Sequence, residues 1–387
     1  MKTDNKTFCL IKNADVYTPE HLGIRDILIC GTQVVHIAPD IELPMGLDPD
    51  VFDAEGLKAV PGFIDQHVHV IGGGGQLGFA SLVPAVTVSE LVKVGTTTVV
   101  GLLGTDGFVK DLPALYAAVK AICQEGLSAY MLTSYYGLPE RTLTGSVAED
   151  LIYIDKVIGC KLAMSDDRSS FPTTLEILRL INQVRLGGFT SGKGGVLHIH
   201  LGAEETGIAQ LIDIVRQHPK FADYLSPTHL IRTRALFEQA IQFANLGGMV
   251  DFSTGGTRFD LPHRCVMEAI NRGVSIDRIT FSSDGHGGVR RENPDTGEVI
   301  YRPAPLDLNY KEMTLLVKEC DLPLSDALKL ITANPARNMK LKHKGRIAPR
   351  MDADICLLDD QLSLQHVMAM GRWAMVQQKT LMKGRYE

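Results

Sequence analysis

The sequence predicts an α/β fold: a (β/α)8 TIM-like barrel with a small β-sandwich domain built from its two flanks. Three observations carry this. Residues 61–344 alternate apolar strand-like runs with stretches of helical spacing. Residues 1–60 and 345–387 hold only short β-like runs separated by turn signals. Histidine, lysine and aspartate recur at the ends of the central runs, where barrel enzymes place their chemistry.

In chain order, Thr7–Tyr17, Ile24–Ile29, Gln33–Ala38 and Val51–Ala54 are rich in Ile, Val, Leu and Phe and predict strands. Thr18-Pro-Glu, Cys30-Gly-Thr and Gly46-Leu-Asp-Pro break them. After Pro61, strands are predicted at Thr96–Leu103, Ser128–Ser134, Gly195–His200, Leu225–His229, Met249–Ser253 and Ile279–Ser283. Leu112–Glu125, Leu175–Val184, Ile208–Gln217 and Ala235–Ala244 between them predict helices. Repetition of this unit over nearly the whole middle of the chain suits a barrel better than two doubly wound sheets. At the C-terminal end Asp354–Leu358, His366–Met370 and Trp373–Val376 return to short strands. No internal repeat or low-complexity segment interrupts this order.

Bulk properties narrow the function classes. Of 387 residues 45% are hydrophobic and 22% charged, ordinary values for a soluble globular protein. A formal net charge of -6 leaves no basic footprint, so neither nucleic acid nor an anionic membrane is expected as a partner. No signal peptide or membrane-spanning run is visible. The seven cysteines are scattered, with no Cys-x-x-Cys, and read as reduced thiols of a cytoplasmic protein.

The chemistry starts at Pro61-Gly-Phe-Ile-Asp-Gln-His-Val-His-Val70. Side chains alternate along a strand, so His67 and His69 share one side and form a natural half of a metal site. A solvated pair of loop histidines is the competing explanation. Lys161 lies in the apolar run Lys156-Val-Ile-Gly-Cys-Lys-Leu-Ala-Met164, and burial of an unpaired ammonium costs several kcal/mol. As a carbamate it would instead be an anionic ligand able to bridge two cations. His200, His229 and Asp284 end three further runs. Taken singly, a strand-end histidine is more often a satisfied core residue than a ligand, and a strand-end aspartate more often a helix cap.

Together these residues resemble the amidohydrolase superfamily, through the His67-x-His69 run, Lys161, His200, His229, Asp284, Thr332-Ala-Asn-Pro-Ala336 and Asp352-Ala-Asp-Ile355. Within it the chain is most similar to the isoaspartyl (β-aspartyl) dipeptidases. That likeness rests on His67-Val-His-Val-Ile-Gly-Gly-Gly-Gly75, Val100-Gly-Leu-Leu-Gly-Thr-Asp106, Thr144-Gly-Ser146, Ser165-Asp-Asp-Arg168, Pro227-Thr-His229 and Ser282-Ser-Asp-Gly285. The resemblance implies two divalent metal ions, zinc by expectation. His67, His69 and Asp284 would hold one and His200 and His229 the other, with N6-carboxylated Lys161 and a hydroxide bridging them. Asp284 would take the water's proton and pass it to the leaving amine, and Tyr136 would face the developing oxyanion. Arg168 and Arg232 would grip substrate carboxylates, since a guanidinium fork matches a carboxylate at two points. Thr105 would contact the substrate's amino end, and Gly74 would let backbone approach the ligand. A homo-oligomer is also implied.

Two positions depart from the resemblance. The family carries a glutamate for the substrate's α-ammonium where this chain has Gln76, and a serine where it has Gly288. His286, beside Gly288, is expected to crowd or recharge the pocket mouth, and His198 to face away from the pocket. Three readings remain open. One is a β-aspartyl dipeptidase in which Asp106, Glu204 or Glu205 supplies the missing charge. Another is an amidohydrolase for N-acyl or ureido dicarboxylic amino acid derivatives without a free α-ammonium. The third is a non-catalytic scaffold relative, which a complete ligand set argues against.

Overall fold

A computed structural model describes residues 7–293 and 296–387. Six strands, Phe63–Val68, Thr96–Gly101, Ser128–Ser134, Val157–Met164, Leu197–Leu201 and Leu225–Thr228, pair in parallel in chain order. Val250–Ser253 and Ile279–Ser282 form a further parallel pair. Val250–Ser253 lies beside Leu225–Thr228, and Val68 bridges in parallel to Gly285, so the chain returns to its first central strand. The fold is of the TIM-barrel type. Apart from partly exposed Tyr130, the strands are buried throughout, which is why their sequences read as unbroken apolar runs rather than alternating ones.

Helices run back over this sheet, and several start on side-chain caps. Asp111 accepts from Ala114 N, and Thr173 and Glu176 form a reciprocal capping box. The helix Thr174–Ser191 outlasts its predicted end at Val184. Its last turns contain Gly187 and Gly188, which read as a helix stop. A Cβ at Gly187 would stand 2.8 Å from Ala148 O, and one at Gly188 2.3 Å from the Gly194 carbonyl carbon. The pair therefore lets neighbouring backbone pack against the helix, and tertiary contact overrides local propensity.

The flanks meet in one nine-stranded sheet. Ile355–Leu358 runs antiparallel to Lys58–Pro61, with Ile355 opposite Pro61, and so joins the C-terminal strands to the N-terminal ones. Ile11, Ile27, Ile29, Val34, Ile355 and Leu357 fill its core. A hairpin the sequence did not announce, Gly288–Glu292 with Val299–Pro303, extends from the end of the last central strand. Its sequence lacks the apolar alternation that marks a strand.

Candidate active site

The candidate site lies at the C-terminal ends of the parallel strands. His67 sits within the first strand, and its backbone N–H donates to Asp65 Oδ1 at 3.2 Å. The same carboxylate accepts from Ser283 N at 3.3 Å and from the Ser283 hydroxyl, which ties the first strand's end to that of the last. Burial pushes the Asp65 carboxyl up to about 7. His229 and Asp284 take φ values of 65° and 54°, rare for residues with a Cβ, just past the ends of their strands. Such local strain is found where the fold holds a side chain in place for a purpose.

His67, His229 and Asp284 each offer a ligand atom, all within 4.8 Å of one another. Nε2 of both histidines is buried without a hydrogen-bond partner. Each ring is held from behind: His67 Nδ1 lies 2.9 Å from His198 Nε2, and His229 Nδ1 lies 2.5 Å from Ser253 Oγ. Asp284 Oδ1 is 3.3 Å from His69 Nε2 and 3.4 Å from His67 Nε2. Burial holds His67 and His229 well below the usual imidazole range, so both are neutral near pH 7. Burial alone would raise the Asp284 carboxyl, but the His69 hydrogen bond and the neighbouring His69, His200 and Arg232 side chains bring it below its ordinary value. Neutral imidazoles around a carboxylate, each ring oriented through its second nitrogen, make a donor set suited to a divalent cation. Lys161 adds to it: the side chain is fully buried, Nζ has no partner, and burial lowers the amine to about 7.

Above this cluster opens a cavity of about 380 Å³ lined by His69, Tyr136, His200 and Asp284. Its walls also carry Gly74, Gln76, Thr105, Arg168, Arg232 and Gly288, so the structure brings these residues together around one space. His67, Lys161 and His229 do not line it and lie buried below. Arg232 Nε is buried and unpartnered, an N–H still lacking an acceptor. Arg168 is already forked onto Asp166, Nε to Oδ1 at 2.7 Å and Nη2 to Oδ2 at 2.5 Å. Asp166 Oδ2 also lies 3.0 Å from His200 Nε2, and the Tyr136 hydroxyl lies 2.7 Å from His200 Nδ1. Burial moves His200 down to about 3 and Tyr136 above the ordinary phenol range.

Asp166 is a residue that sequence reasoning passed over. It stands in the quoted Ser165-Asp-Asp-Arg168 segment, but nothing in that run separates it from Asp167, which is exposed. Ser253, Thr257 and Val289 were missed for the same reason, being ordinary residues until the fold brings them beside the site.

Other expectations are corrected. His286 is buried away from the cavity, its ring facing the Pro84 carbonyl at 3.0 Å and Glu90 at 3.6 Å, so it anchors the 84–90 segment instead of crowding the mouth. His198 stays out of the cavity, yet it contacts His67 directly and is held by Ser226 Oγ at 2.9 Å. Glu204 and Glu205 are exposed and outside the cavity lining. Asp106 is buried behind His69, with Oδ1 3.9 Å from His69 Nδ1 and Oδ2 unpartnered.

Comparison with known proteins places this geometry. A family model described as the amidohydrolase family matches residues 59–383. A solved structure of the β-aspartyl dipeptidase from Fervidobacterium islandicum AW-1, in complex with β-Asp-Leu dipeptide, is 38% identical. It covers 97% of this chain and 98% of its own, with a TM-score of 0.88. A dihydroorotase of Streptococcus pyogenes serotype M1 is 32% identical over 91% of this chain and 90% of its own length. An adenine deaminase of Cenarchaeum symbiosum (strain A) is 30% identical, but the match spans only 20% of that protein's length. Among the described residues no helix is long and apolar enough to cross a membrane.

Proposed function

Since the chain belongs to the amidohydrolase family, we propose that it is a metal-dependent hydrolase that cleaves the amide bond of β-aspartyl dipeptides and related dicarboxylic compounds. One observation carries this reading. Buried, unpartnered His67 Nε2, His229 Nε2 and Lys161 Nζ converge beside Asp284 beneath a cavity bearing two guanidinium groups. Buried polar atoms without partners are costly, so a fold that gathers several has a use for them.

His67, His229 and Asp284 fit the implied metal centre, and His69, His200 and N6-carboxylated Lys161 would complete its holders, His200 by giving up its ring contact to Asp166 or to Tyr136. Two divalent cations, zinc by expectation, would supply Lewis acidity and a water ionised near neutral pH. Asp284 holds the water's proton on its carboxylate and delivers it to the leaving nitrogen. Tyr136, kept protonated by burial, donates its hydroxyl hydrogen to the carbonyl oxygen as charge develops there. Asp166 orients His200 and presents the Arg168 fork, and Arg168 and Arg232 hold the substrate carboxylates so that the amide lies over Asp284.

Metal analysis joined to turnover tests the reading. Purified protein is expected to carry about two metal ions per chain and to hydrolyse β-Asp-Leu, and His67→Ala to lose both metal and turnover by about 10³-fold or more. Full metal content in His67→Ala, or no turnover in metal-loaded wild type, would overturn it.

A second reading is favoured by Gln76, which lines the cavity without a charge: the substrate's amino end is acylated or otherwise neutral. A charge-assisted hydrogen bond is about twice as strong as a neutral one, and losing roughly 1.5–3 kcal/mol corresponds to about tenfold to a hundredfold in affinity. Gln76→Glu is therefore expected to raise kcat/KM for free β-Asp-Leu by about that factor. Unchanged kinetics in this variant would remove Gln76 from substrate recognition.

A further inference from the structure

We infer that a side cavity next to the site is a subsite for an apolar acyl group on the substrate's amino end, so that the preferred substrate is an N-capped β-aspartyl compound. This rests on the amide-hydrolase reading above and deepens it by naming what the end next to Gln76 carries.

The side cavity, about 230 Å³, lies between the loop that follows the glycine run and the 288–303 hairpin. Leu77, Leu82, Val83 and Pro84 face Val289 and Pro303 across it. Arg302 is the sole charged residue in its lining among the described residues, and no carboxylate faces it. It shares Gly74, Gln76, Gly288 and Val289 with the polar cavity, so the two spaces adjoin along these residues. A ligand held by Arg168 and Arg232 and extending past Gln76 enters apolar walls.

The seam between the spaces decides the chemistry. A free ammonium there would meet a neutral carboxamide and aliphatic carbon and would give up part of its hydration without gaining an ionic partner. An amide nitrogen and carbonyl suit Gln76, whose side chain both donates and accepts. The acyl chain beyond that amide would be buried against aliphatic side chains.

Two glycines line the boundary between the spaces. A Cβ at Gly288 would stand 3.1 Å from Gly74 Cα and 3.8 Å from Val83 Cγ2, on the boundary of both spaces. A Cβ at Gly74, where φ is 85°, would lie 2.3 Å from Ser81 O, so the loop folds back on itself only with glycine at this position. A side chain at either position would take up space at the junction.

The test compares N-isovaleryl-β-Asp-Leu, N-acetyl-β-Asp-Leu and free β-Asp-Leu on the metal-loaded chain, with calorimetric Kd values for N-isovaleryl-aspartate and aspartate beside them. The isovaleryl compound is expected to exceed the free dipeptide in kcat/KM by roughly ten- to a hundredfold, with acetyl between them, and the Kd pair to follow the same order. Gly288→Ser and Leu77→Asp, the latter at an exposed position where the fold tolerates a charge, should each cut that preference at least about threefold. Preference for the free dipeptide, or a Kd ratio near one, overturns the subsite. So does a capped-substrate preference that both variants leave intact. If no compound is turned over while the isovaleryl ligand still binds more tightly, the hydrolase reading falls and the subsite stands.

Discussion

Asp284→Asn is expected to lower kcat for β-Asp-Leu by about 10²- to 10⁴-fold, the range that a positioned acid–base group contributes. The carboxylate is proposed to hold the water's proton and return it to the leaving nitrogen. Asparagine keeps the shape and one oxygen but cannot take up a proton. The surroundings of Asp284 favour this role, because His69 Nε2 at 3.3 Å and the nearby Arg232 guanidinium keep the carboxyl ionised despite burial. Arg168 and Arg232 are untouched by the change, so KM should move by less than about threefold, placing the loss in the chemical step rather than in binding. Steady-state kinetics at matched metal content decide the matter. A kcat within tenfold of wild type would remove Asp284 from proton transfer.

Lys161→Met is expected to abolish turnover and metal retention while raising the stability of the metal-free protein. A lysine wholly buried with no partner costs several kcal/mol in its charged form, and a methionine of similar volume removes that cost. The pH dependence has a definite sign. Burial lowers the folded-state amine to about 7 from its ordinary value of 10.5. Above that ordinary value the group is neutral in both states and there is no penalty. As pH falls through the window between the two values the unfolded chain gains a proton that the folded one does not, and stability declines. Below about 7 the penalty is complete and constant. Thermal unfolding of chelator-treated protein should therefore show a gap between Lys161→Met and wild type that is widest near neutral pH and shrinks toward pH 10. A constant gap, or a less stable variant, would mean that Lys161 is paired in the metal-free state.

Much of this arrangement is legible along the chain because its signals are local. Leu112–Glu125 and Ser128–Ser134 form as helix and strand over the residues their apolar spacing predicts. Helix Thr174–Ser191 shows the limit, since its last turns depend on backbone from other elements packing against Gly187 and Gly188. The same holds within the site. Spacing alone puts His67 and His69 on one side of a strand, whereas the ring contacts that orient His67 and His229 come from His198 and Ser253 on other strands.

The alternation of strands and helices, the placing of ligand-type residues at strand ends and the lack of a charge at Gln76 are all written in the chain, because periodicity and residue type are properties of single segments. Folding settles the rest: Asp166 rather than Asp167 meets His200 and Arg168, and His286 turns away from the cavity. Folding likewise sets the glycine loop against the hairpin around a mainly apolar groove beside Gln76. Each of these depends on which distant segments the fold brings within contact distance, and no local pattern encodes that distance.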